Sequence, residues 1–154
     1  MEKLMDIAIE MANASVENGT GPFGAVVVDA DGIILSSAHN MVTANNDPTA
    51  HAEVCAIRSA CRRLSRFSLE GCTMICSCEP CSMCLSAILW SRMDRIVYAN
   101  TRHDASDIGF DDSAIYNEVN TPLEYRSIPT TQLGRDKAIL TFDRWRERVD
   151  RTPY

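Results

Sequence analysis

One histidine and two cysteines constrain this 154-residue chain more than any other feature. His51 stands in Asp47-Pro48-Thr49-Ala50-His51-Ala52-Glu53, and the cysteines stand in Cys78-Glu79-Pro80-Cys81-Ser82-Met83-Cys84. Each stretch reads as the opening of a helix. Asp47 is a capping residue type and Pro48 suits a first helical position; Pro80 opens the second helix in the same way. Imidazole nitrogen and thiolate sulfur are zinc ligands, and three protein ligands leave one tetrahedral position for water. The histidine and the cysteines lie far apart in sequence. Only a fold that brings two helix starts together can assemble the site, and metal binding then stabilises that fold.

Cys78, Cys81 and Cys84 form two overlapping Cys-x-x-Cys pairs. Pro80 places Cys81 in the first helical turn and leaves Cys78 in the preceding loop. Cys81 and Cys84 are therefore the expected ligands with His51, since a helix N-terminus favours thiolates. With Cys78 as a fourth ligand the site would be closed, and the chain would be a non-catalytic structural zinc module. Glu53, two residues after His51, can carry protons without binding the metal. Zinc lowers the pKa of a bound water from 15.7 to roughly 7, and a positioned acid–base group adds about 10²–10⁴ in rate. A lone His-x-Glu is usually a polar helix surface. Joined to Pro-Cys-x-x-Cys on a second helix, it becomes a specific signal.

The rest of the chain reads as support. Residues 2–17 repeat apolar side chains at helical spacing and stop at Asn18-Gly19. Phe23 to Asp29 and Ile33 to Ala38 read as an antiparallel hairpin, the first strand buried on both faces because Val26-Val27-Val28 does not alternate. A helix to about Leu64 follows, then a strand over Cys72 to Cys76, a helix from Pro80 to about Ser91, and a strand over Arg95 to Ala99. Strand, helix, strand, helix, strand predicts neighbouring parallel strands, with the site at their carboxyl ends. Residues 100–112 read as an acidic loop and 113–119 as a short helix. Glu124 to Ile128 is a weak strand candidate, and Asp136 to Val149 a last helix. No linker or repeat interrupts the chain, so one domain over 1–154 is expected.

The net charge of −6 argues against nucleic acid as a partner, because phosphate recognition needs clustered cations. Arg58, Arg62, Arg63 and Arg66 do cluster, but at a helix end, where cations complement the dipole. No apolar run approaches the roughly 20 residues of a membrane span, and no secretory leader is apparent. Seven cysteines, an odd number, fit reduced thiols in the cytoplasm. Cys55, Cys61 and Cys72 are expected as small buried hydrophobes.

The stretches Gly21-Pro22-Phe23-Gly24-Ala25-Val26, Asn46-Asp47-Pro48-Thr49-Ala50-His51-Ala52-Glu53-Val54 and Ser77-Cys78-Glu79-Pro80-Cys81 resemble the cytidine-deaminase-like zinc deaminases. The resemblance covers nearly the whole chain. Gly109-Phe110-Asp111-Asp112-Ser113, Ile115-Tyr116 and the terminal Tyr154 resemble the guanine-deaminating branch. The resemblance implies an α/β fold, a three-layer αβα sandwich around a five-stranded mixed sheet. It implies one Zn2+ per subunit and conversion of guanine to xanthine and ammonia. It also implies a homodimer whose C-terminal segments, from about residue 130 to 154, exchange. Phe23 would stack on the purine, with Asn40 and the Ala52 backbone bonded to it and Trp90 walling the site. Asp112 would accept from ring N–H groups or shuttle a proton, and Tyr154 would close the site from the other subunit. Asp111 adjoins Asp112 and offers the same chemistry. Ser82 and Cys76 depart from the family's common proline and threonine. The same machinery could serve guanosine, another aminated purine, a triazine or a pyrimidine.

Overall fold

In the computed structural model, which describes residues 1–153, the valine-rich run at 26–28 is the centre of the protein. Strand β1 (Gly24–Val28) is buried at every position. It lies between β2 (Ile34–His39) and β3 (Thr73–Cys78), antiparallel to both, and β4 (Arg95–Asn100) pairs parallel with β3. The sheet order is β2-β1-β3-β4. Ala25 and Val27 face one core with Ala52, Ala56, Met74 and Ile88; Val26 and Val28 face another with Ala8 and Ile75. The first core lies under α3 (Ala52–Leu64) and α4 (Ser82–Trp90), the second under α1 (Glu2–Glu17). That is the expected three-layer αβα sandwich, and it explains why the valines do not alternate with polar residues.

Gly24 shows how closely α1 approaches the sheet. A Cβ there would lie 2.1 Å from the Ala8 carbonyl oxygen and 2.6 Å from the Ala12 nitrogen. Only glycine lets the helix backbone rest on the strand backbone.

Five expectations need correction. The strands at 33–38 and 72–76 are not neighbours, because β1 is inserted between them; only β3 and β4 are adjacent and parallel. The sheet of the described residues has four strands, not five. Glu124 to Ile128 begins inside a 3₁₀ turn, Leu123–Tyr125, between Pro122 and Pro129, which cannot donate to a ladder. Residues 100–112 contain a helix, α5 (Arg102–Asp107), opened by a reciprocal cap in which Thr101 and Asp104 each bond the other's backbone N–H. Cys55 and Cys61 are only partly buried, while Cys72 is buried as expected. A further short helix, α2 (Val42–Asn45), lies between β2 and α3.

Residues Met1–Asp112 and Ser113–Tyr154 form two compact units. The second contains α6 (Ser113–Asn120) and α7 (Arg135–Glu147). None of its described residues is buried, so it has no core of its own.

Candidate active site

Both metal-ligand segments are helix starts, each shifted from the expected position. His51 and Cys81 are the residues flanking α3 and α4, with extended backbones (φ −64°, ψ 155° and φ −66°, ψ 171°). Their carbonyls accept the first helical bonds, from the Cys55 and Leu85 N–H groups at 2.9 and 2.8 Å. Asp47 caps a turn instead of a helix. Its carboxylate accepts from the Thr49 N–H and hydroxyl at 2.8 and 2.7 Å, and the Ala50 N–H returns to the Asp47 carbonyl at 3.0 Å. The Met41 N–H donates to the Ala50 carbonyl at 2.9 Å, which ties this turn to the end of β2.

His51 Nδ1 lies 3.6 Å from Cys81 Sγ and 3.5 Å from Cys84 Sγ, and all three atoms fall within 4.8 Å of one another. A tetrahedron with bonds of about 2.3 Å to sulfur and about 2.0 Å to nitrogen has N–S edges of about 3.5 Å. The three side chains therefore fit one zinc ion. Their electrostatics agree. The Cys81 thiol is pulled down to about 4, first by the Cys84 thiol that donates to it and then by His51. Cys84 is pushed up by that same bond and by burial, and His51 is raised chiefly by its bond with Cys81. The lowered Cys81 thiol suits the deprotonated sulfur that a zinc ion would bind.

Glu53, in the first turn of α3, is only 8% exposed. Burial raises its carboxyl above the ordinary value; its own backbone N–H and His51 pull the other way. Cys78 is diverted from the cluster. It ends β3 and its thiol donates to the Thr101 carbonyl at 3.5 Å, while burial pushes it up to about 11. A neutral thiol committed to a carbonyl is a poor ligand.

The substrate-side expectations divide. Asn40 is buried, and its N–H donates to the Phe23 carbonyl at 3.0 Å, so these two residues sit side by side next to the turn that leads to His51. Asn40 Oδ1 accepts from the Val42 N–H at 3.0 Å, which fixes the amide. Ala52 is fully buried as the first residue of α3. Phe23 meets Phe110 edge to face, centroids 5.0 Å apart. Of the two adjacent aspartates, Asp112 is half-buried and Asp111 exposed. Asp112 accepts from Arg102 Nε and Nη2 at 3.1 and 2.9 Å. Trp90 is not brought in with these residues. It ends α4 at the opposite end from Cys81 and is 70% exposed. Tyr154 lies outside the described residues.

Sequence reasoning missed Phe110, Arg102 and Glu79. Phe110 lies in Gly109-Phe110-Asp111-Asp112-Ser113, where the two aspartates are the obvious polar candidates. The Thr101-x-x-Asp104 cap could have exposed α5, and with it the placement of Arg102.

Residues 1–100 match the cytidine and deoxycytidylate deaminase zinc-binding region. The chain belongs to that family of zinc deaminases, and its His51, Cys81 and Cys84 are positioned to hold one metal ion. Over its full length it is 44% identical to a guanine deaminase from Bacillus subtilis (strain 168), spanning 96% of that protein. The X-ray structure of the Bacillus subtilis guanine deaminase superposes with a TM-score of 0.95 at 45% identity, covering 99% of this chain and 98% of that one. A tRNA-specific adenosine deaminase from Aquifex aeolicus (strain VF5) is 43% identical over 98 residues, 64% of each chain. A guanine deaminase from Nitrosomonas europaea superposes with a TM-score of 0.67 at 30% identity, over 71% of this chain and 64% of that one.

Proposed function

We propose that this chain is a zinc-dependent guanine deaminase, converting guanine and water to xanthine and ammonia. The observation that carries the substrate is the degree of similarity over the whole chain. A tRNA-specific adenosine deaminase from Haemophilus influenzae is 34% identical over 151 residues, whereas the guanine deaminase is 44% identical over all 154 and its structure superposes with a TM-score of 0.95. Guanine offers adjacent N1–H and amino donors, and a carboxylate accepts both. A net charge of −6 disfavours the polyanionic tRNA.

Zinc held by His51, Cys81 and Cys84 supplies Lewis acidity that makes a water acidic near neutral pH. Glu53 then moves the protons. It takes one as the water oxygen bonds to C2 and delivers it to the adjacent ring nitrogen, and a proton passed to the exocyclic amine lets it leave as ammonia. A buried carboxyl with a raised affinity for protons suits a group that must both accept and donate. Phe23 stacks on the purine, the Asn40 amide and the Ala52 backbone bond its edge, and Asp112 accepts its N–H donors. A structural zinc module would need a fourth ligand, and Cys78 is committed to Thr101 instead.

The working unit we propose is a cytoplasmic homodimer of single deaminase domains, with residues from about 130 exchanged and Tyr154 completing the other subunit's site. Its support is exposed apolar surface: Leu133 is 93% and Phe142 68% exposed in the single chain, and Leu89 on α4 is 66% exposed. Trp90 belongs with this surface more readily than with the site. No helix of the described residues is long and apolar enough to cross a membrane, and all seven cysteines are free.

The test is ammonia release from guanine, guanosine, adenine and cytosine by purified protein of known zinc content, with sedimentation for the oligomer. Release from guanine is expected. Silence of the zinc-loaded protein towards guanine would refute the substrate, and turnover of guanosine at the same rate would broaden it to nucleosides.

A further inference from the structure

Arg102 joins two parts of the site. As the first residue of α5, it donates its backbone N–H to Glu79 Oε2 at 3.1 Å. A carboxylate is favoured at that helix start. Glu79 is two residues before Cys81, and its own N–H donates to the Asn100 carbonyl at 2.8 Å. Cys78 bonds the Thr101 carbonyl beside it. The segment leading to the cysteine ligands is thus tied to residues 100–102 at three successive points.

The Arg102 side chain reaches the other way. Nε and Nη2 donate to the Asp112 carboxylate at 3.1 and 2.9 Å, both to Oδ1. Both partners are partly shielded from solvent, unlike a mobile surface pair. Two donors on one oxygen fix the carboxylate's rotation and leave Oδ2 to a different direction. Phe110, two residues earlier, packs against Phe23 and anchors the same loop.

We infer that Arg102 is a positioning residue that holds Asp112 by Oδ1 so that Oδ2 accepts the N–H groups of the substrate. Because Arg102 is also bonded to Glu79, it keeps that acceptor in register with the cysteine ligands. The inference rests on the reading in which Asp112 meets the purine edge, and it assigns the orientation of that contact to a residue that never touches substrate.

The test uses the zinc-loaded full chain and calorimetric binding of 8-azaguanine, a guanine analogue. Arg102→Met should weaken binding about 10- to 100-fold, the range for a lost hydrogen bond to a charged group, with zinc content unchanged. In an Asp112→Ala background the same substitution should change binding by less than about twofold, since the partner it orients is gone. Arg102→Lys should remain at least about fivefold weaker than wild type, because one ammonium cannot reproduce the fork; if Arg102→Met does not fold, it carries the comparison between backgrounds. Wild-type affinity in the Arg102 variants, equal losses in both backgrounds, or loss of zinc would overturn the inference. Guanine turnover by the wild type is measured alongside. If that is absent, the proposed function fails first and takes this inference with it; if it is present, the variant results bear on Arg102 alone.

Discussion

Glu53→Gln separates chemistry from structure at this site. Glutamine has nearly the shape of glutamate and keeps a hydrogen-bonding end, but it cannot carry a proton. Zinc content should not change, because the ligand cluster is His51, Cys81 and Cys84 without Glu53. Turnover of guanine should fall by about 10²–10⁴, or about 3–5 kcal/mol in the barrier. Stability should move in the opposite sense. The folded protein raises the Glu53 carboxyl above its ordinary value of 4.5, mainly by burial. Above 4.5, and until the folded-state carboxyl also ionises, the native state holds a proton that the unfolded state has released, so stability falls as pH rises there. Glutamine has no such loss. In metal-free protein the melting temperature of the variant minus that of the wild type should be smallest below the ordinary carboxyl value of 4.5, should grow as pH rises above it, and should level off once the folded-state carboxyl has ionised. Cys81 titrates in both proteins, so its direct contribution drops out of the difference. The assays are ammonia release at matched zinc content and thermal unfolding across pH. A variant that keeps more than about a tenth of wild-type turnover would refute the proton-carrier role. A melting difference that is constant with pH would refute the burial argument.

Other perturbations follow from the same geometry. Cys84→Ala removes a buried ligand, so purified protein should lose zinc by metal analysis, and chelators should lower the wild-type melting temperature towards that of the variant. Cys78→Ala should keep a full complement of zinc and lose only about 0.5–1.5 kcal/mol, the value of its bond to Thr101, by denaturant unfolding. Gly24→Ala forces a Cβ against the Ala8 carbonyl at 2.1 Å, so α1 must lift from the sheet. A cost of about 3 kcal/mol or more is expected, read as a fall in melting temperature of about 6–12 °C.

Much of the site was readable along the chain because its signals are local. A histidine, a glutamate two residues on, and a proline before Cys-x-x-Cys announce donor chemistry and helix starts without any fold. The preference for Cys84 over Cys78 as the companion of Cys81 was also readable, since Pro80 leaves Cys78 in the loop before the helix. The helix starts themselves were read a few residues early, because Asp47 and Pro48 serve a turn as well as a cap. The choice between Asp111 and Asp112 was not readable; neighbouring residues of one type differ only in which way the backbone turns them. Nor could the sequence assign Trp90, whose apolar ring fits a site wall and a packing position at a helix end equally well.

By itself the sequence determined the candidate donors His51, Cys81 and Cys84 and the nearby carboxylate of Glu53, the alternation of strands and helices, and the double burial of Val26 to Val28. These depend on residue type and spacing along a few turns of chain. Tertiary structure alone decided that β1 lies between β2 and β3, that Nδ1 of His51 stands 3.5–3.6 Å from both thiols, and that Arg102 bridges Glu79 and Asp112. Those facts arise from contacts between residues distant in sequence. Strand order follows from which faces can be covered on both sides, and the direction of a long side chain follows from what packs around it.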